Sequence, residues 1–132
     1  MTLNTITLNR YVSELVAVCP DISAMWLIGS RAQQTADLNS DWDFIAFGNA
    51  KALRSLRQRK ALNKAMVDLL VVYDGNRFEK PWRESDGRKK KGSLRDWEWQ
   101  QISDKKATYR ATKFSEDSDF VRVGHAILVW PC

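Results

Sequence analysis

Apolar positions recur at helical spacing near the start of the chain and then give way to short blocks. Leu8, Tyr11, Val12, Leu15, Val16 and Val18 fall mostly three or four residues apart, which predicts a helix over residues 6–18. Pro20 and Asp21 end it. Ala24–Ile28 is a short apolar run stopped by Gly29 and reads as a buried strand. Residues 42–47 read as a second strand, ended by Gly48 and Asn49. Residues 50–63 are basic, with Leu53, Leu56 and Leu62 as the inward positions of a helix. Residues 66–73 form a third apolar strand, stopped by Asp74-Gly75.

The second half is patterned differently. Pro81, Gly87 and Gly92 punctuate a polar stretch that reads as a long loop or a poorly formed hairpin. Residues 94–102 and 105–114 read as two strands around Ser103-Asp104, with Trp97, Trp99, Tyr109 and Ala111 in alternation. A helix starting at Ser93 competes with the first of these, because Ser93 and Asp96 resemble a capping box. Residues 120–130 read as a last strand. The pattern βαβαβ followed by antiparallel strands predicts an α/β (α+β) chain with a mixed sheet. Its 132 residues suit a single domain.

Composition adds constraints. Hydrophobic residues make up 44% and charged residues 28%, the balance of a globular protein. No apolar run approaches the roughly 20 residues of a bilayer span, and residues 1–10 lack a signal-peptide pattern. With Cys19 and Cys132 as the only cysteines, a reduced, cytoplasmic protein is expected, without a membrane. The net charge of +5 is concentrated in residues 51–64 and 77–91, the second ending in Arg88-Lys89-Lys90-Lys91. Such clusters suit nucleoside triphosphates, RNA or an acidic protein, or form a solvated helix face and a surface loop.

The chemistry concentrates in Leu27-Ile28-Gly29-Ser30-Arg31, ten residues from Arg31 to Ser40, and then Asp41-Trp42-Asp43-Phe44. Gly29 allows a tight turn and close ligand approach, and backbone N–H groups with the Ser30 hydroxyl suit phosphate oxygens. Asp41 and Asp43, two apart on a strand, point to one face, and Trp42 points to the other. Asp68 sits inside the apolar Val67-Asp68-Leu69, where a carboxylate is costly unless paired, hydrated or metal-bound. Three acids and a phosphate cradle are the apparatus of two-metal phosphoryl or nucleotidyl transfer. Asp41, Asp43 and Asp68 are therefore the candidate metal ligands and catalytic residues. Gly29, Ser30 and Arg31 are the candidate triphosphate contacts. If the three acids merely repel one another, removing Asp43 or Asp68 should leave the fold intact or more stable. His125, the single histidine, reads as structural or surface, and no Cys/His cluster suggests zinc.

These motifs resemble the polymerase-beta-like nucleotidyltransferase superfamily, and most closely the small stand-alone members called minimal nucleotidyltransferases. Their pattern is a hydrophobic strand, Gly-Ser, a ten-residue spacer, Asp-x-Asp, and a later Asp in a third strand. Leu27 to Ser30, Asp41, Asp43 and Asp68 match it, and Ala32, Ala36 and Ser40 also fall in familiar places. The resemblance covers about residues 5–75; residues 76–132 form a β-rich extension that it does not reach. Gln33-Gln34 stands where such proteins often carry Arg-Gly, which removes a cation from near the triphosphate.

The resemblance implies the nucleotidyltransferase fold and a Mg²⁺- or Mn²⁺-dependent transfer of a nucleoside monophosphate from a nucleoside triphosphate to a hydroxyl. The acceptor would be a tyrosine on a separate protein, as in antitoxins that adenylylate a HEPN-type toxin, or an RNA end, or a small molecule. The chain has no toxin-type Arg-x4–6-His motif and is short for an antibiotic or tRNA pocket, which favours the protein. The competing reading is a non-catalytic module of this fold that binds RNA or a protein partner. Trp82, Trp97 or Trp99 would then stack on bases, or else pack in the sheet.

Overall fold

The computed structural model describes residues 3–32, 42–84, 86–112 and 121–131. Among the described residues, a mixed sheet of eight strands runs in the order β5-β4-β3-β2-β1-β8-β7-β6. Its centre is β1 (Ala24–Ile28), β2 (Trp42–Phe47) and β3 (Val67–Val72). Strand β1 is antiparallel to β2, and β2 is parallel to β3. One side of the sheet continues with β4 (Arg77–Glu79) and β5 (Lys91–Ser93). The other continues with β8 (Val121–Trp130), β7 (Lys106–Thr112) and β6 (Gln100–Gln101). Among the described residues, no helix is long and apolar enough to cross a membrane.

The central strands are nearly continuous apolar runs because both faces are covered. On one face, Leu27, Phe44, Leu69 and Val71 pack against α1 (Leu3–Val18) and α3 (Ala50–Arg57). Tyr11, Val12 and Leu15 supply the inward side of α1, and Trp42 is buried on this face as its strand position predicts. On the other face, Trp26, Ile45, Leu70 and Val72 meet Phe78, Leu94, Ala107, Tyr109 and Ala126. The second half of the chain thus forms the lid of a second core.

Asn49 caps α3 by accepting the Ala52 N–H at 2.8 Å. The expected helix over 50–63 stops at Arg57, and a 3₁₀ turn, Lys60–Leu62, follows. In an unbroken helix Leu62 would lie nine residues beyond Leu53, roughly half a turn out of phase. The tighter turn brings it inward, where it is buried. The strand expected over 94–102 shrinks to β6. The bond from the Asp96 N–H to Ser93 Oγ, at 3.0 Å, forms as the capping pattern predicts, but residues 94–98 make a turn, not a helix. Glu98 then takes φ 52° and reverses the chain. Trp97 and Trp99 pack sideways from this turn onto Tyr109, with ring centroids 5.4 and 6.3 Å away. Trp82 is buried, donating from Nε1 to Leu56 O at 3.0 Å. His125 lies exposed on β8. Cys19 is buried and unpaired, and burial pushes its thiol up.

Tyr11 makes the clearest pH-dependent contribution. Its hydroxyl donates to Leu62 O at 2.9 Å. Burial, with Glu14 and Asp68 adding, pushes it far above the ordinary 10.0. A raised pKa stabilises the fold below the unfolded value and loses that contribution as pH rises through it. Stability should be flat from neutral pH to about 9 and fall above about 10. Tyr11→Phe should cost about 1 kcal/mol at neutral pH and flatten the alkaline fall, as read by urea unfolding across that range. An unchanged alkaline slope in the variant would remove Tyr11 as its source.

Candidate functional site

The two central acids come together through strand register. In the parallel pair of β2 and β3, Asp43 stands opposite Asp68; in the antiparallel pair of β1 and β2 it stands opposite Ile28. Neighbouring strands lie about 4.8 Å apart and in-register side chains share a face, so the two carboxyl-bearing positions are adjacent. They line a cleft of about 410 Å³ together with Gly29, Lys90, Trp97, Tyr109 and Arg110. Asp41 lies outside the described residues, as do the side chains of Ser30 and Arg31 and the Gln33-Gln34 departure. Among the described residues, no group of three or more His, Cys, Asp or Glu gathers as a metal site.

Gly29 opens α2 (Gly29–Ala32) with φ 74°. A Cβ there would meet Asp43 Oδ2 at 2.5 Å. The turn therefore needs glycine twice, for its left-handed backbone and for the carboxylate pressed against it. The Gly29 N–H donates to the Tyr109 hydroxyl at 3.0 Å. Tyr109 can lie this way because its cross-strand partner on β8 is Gly124, where a Cβ would run into the phenol ring. Burial, partly offset by the Gly29 bond and reinforced by Asp43, pushes the Tyr109 hydroxyl up, so it stays protonated.

Asp68 meets two cations. Lys90 Nζ donates to Oδ2 at 2.5 Å, and Lys80 Nζ lies 3.5 Å from Oδ1. Oδ1 is buried and makes no hydrogen bond. Lys80 also lies 3.6 Å from Glu84, and its side chain is only 11% exposed. Arg110 stands on the cleft wall, its guanidinium 4.0 Å from Glu98.

Sequence reasoning placed Asp43, Asp68 and Gly29 here and missed Lys80, Lys90, Tyr109 and Arg110. Lys90 was visible only as one of several basic residues. Tyr109 was visible only as an alternating strand position, 80 residues from its partner Gly29. Comparison with protein-family models, curated proteins and solved structures finds no match for the chain.

Proposed function

We propose that this chain is a metal-dependent nucleotidyltransferase of the polymerase-beta-like fold, moving a nucleoside monophosphate from a nucleoside triphosphate to a hydroxyl on a separate acceptor. The observation that carries this reading is the in-register pair of Asp43 and Asp68 on the wall of one cleft, one strand away from the Gly29 turn. The order β1, Gly-Ser turn, β2 with Asp43, β3 with Asp68 follows the expected motif order.

The donors suit the ion. Two neighbouring carboxylates, one with a buried oxygen that makes no hydrogen bond, are the hard oxygen ligands that Mg²⁺ or Mn²⁺ takes. Asp43 and Asp68 would hold it, with Asp41 as the third acid of the motif. When bound, the metal neutralises triphosphate charge and lowers the pKa of an attacking hydroxyl.

The rest is the work of the chain. Lys90 and Arg110 place positive charge on the cleft wall for the triphosphate, offsetting the cation lost at Gln33. The Trp97 ring lines the same wall, packed against Phe78 and Tyr109. Asp68 would take the acceptor proton as the acceptor oxygen bonds to the α-phosphorus. The bond to the bridging oxygen breaks, and pyrophosphate leaves.

Calorimetric titration of ATP with Mg²⁺, and again with a chelator, tests the reading. Binding should require the metal. Arg110→Ala should weaken it by about ten- to a hundredfold, the value of one charge-assisted hydrogen bond of about 1.5–3 kcal/mol. Equal affinity in that variant would remove Arg110 from the site. Failure of the wild-type protein to bind ATP, GTP, CTP or UTP with Mg²⁺ or Mn²⁺ would sink the enzyme and leave the non-catalytic module.

A further inference from the structure

The two basic clusters, separate in sequence, face one another in the fold. Arg57 at the end of α3 and Lys60 in the 3₁₀ turn form one wall of a second cleft, of about 560 Å³. Arg83 and Lys89, from the connection between β4 and β5, form the other. Trp82 closes the floor, held by its bond to Leu56 O. Glu79 is buried beside the cleft, bonded to Arg57 and 3.4 Å from Lys89. One carboxylate therefore stands against four cations. Arg54 and Arg59 are exposed in the first of these segments and extend the positive field beyond the cleft, while Arg88 is paired with Asp86.

The second cleft takes Trp82 from the helix-covered core, and the acid cleft lies on the other face of the sheet. Lys89 lines the basic one, and its neighbour Lys90 lines the acidic one and bonds to Asp68.

We propose that the Arg57–Lys60–Arg83–Lys89 cleft binds the phosphate backbone of single-stranded nucleic acid. Two guanidinium forks suit phosphate oxygens, and the two lysines add point charges. The charge spreads over two chain segments and past the cleft rim, further than one small anion needs. A concave cleft admits a flexible single strand better than the convex surface of a duplex. Binding of this kind is driven by counterion release and falls steeply with salt. It does not require the transfer chemistry, so it is measured without metal or triphosphate.

The test is fluorescence anisotropy with a labelled single-stranded RNA of about twelve nucleotides and DNA of the same sequence. Lys60→Glu with Arg83→Glu should weaken binding at least about tenfold and reduce the log–log salt slope by about 1.4, for two lost phosphate contacts. Lys60→Gln with Arg83→Gln, which adds no acid, should act in the same direction. Lys105→Glu with Lys106→Glu makes the same charge change at the exposed start of β7 and should have little effect. Equal RNA and DNA binding assigns recognition to the backbone, and RNA preference adds a 2′-hydroxyl contact; both support the proposal. No binding by the wild type, an equal loss in the Lys105/Lys106 variant, or equally effective competition by polyglutamate at matched charge would each overturn it.

Discussion

Asp43→Asn is expected to remove nucleotidyl transfer, by at least about a hundredfold, while the protein still folds. Loss of an outer-shell partner of a metal ligand already costs about 10–100-fold, so loss of a direct ligand costs more. Asparagine keeps the side-chain shape that fits against Gly29, where Oδ2 leaves no room for a Cβ. Asp68→Asn should also abolish transfer, with a stability cost of its own. Repulsion among acids, considered alone, predicts relief on removing either one. Lys90 and Lys80 reverse that expectation for Asp68, because both would lose their contact with its charge. Lys80 is largely buried and, among the described residues, is left with Glu84 as its carboxylate contact, so the expected cost is about 1–3 kcal/mol. Label transfer from an α-labelled triphosphate, together with urea unfolding, separates the two effects. Transfer retained within about tenfold in Asp43→Asn would end the metal-ligand assignment.

Gly29→Ala is expected to damage both stability and function. The backbone at φ 74° costs an alanine about 1–2 kcal/mol. The new methyl also lies 2.5 Å from Asp43 Oδ2, and forcing extra atoms into a packed site typically costs a further 1–3 kcal/mol or so. The total should be about 2–5 kcal/mol by these two terms, with transfer lost because the carboxylate is displaced. Gly75 provides the control. It has φ 85°, but a Cβ there meets nothing within 4 Å, so Gly75→Ala should cost the backbone term alone. Chemical denaturation of both variants decides between strain and crowding. Equal losses would mean that Asp43 moves aside freely and that the close approach has no consequence.

Much of the first half was legible because its signals are local. Tyr11, Val12 and Leu15 repeat at helical spacing, and the runs at Ala24–Ile28 and Trp42–Phe47 are buried strands wherever the chain takes them. A carboxylate inside Val67-Asp68-Leu69 announces itself as costly in any sheet. Strand alternation alone sends Trp42 to the helix-covered face and Asp43 to the other. What strand alternation cannot give is which strand lies beside which, and in what register. Only the fold sets Asp43 opposite Asp68, lays Tyr109 over Gly124 to reach the Gly29 N–H, and carries Lys90 onto Asp68. Only the fold ends α3 early so that Leu62 turns inward, and converts residues 94–98 from an expected strand into a turn that seats Trp97 on Tyr109. These contacts join positions tens of residues apart, and they depend on the geometry of chain closure and packing, which no local spacing of residue types encodes. The same holds for the basic clusters: the sequence determined that the chain would be cationic in two segments, and the tertiary structure decided that they face each other across one cleft.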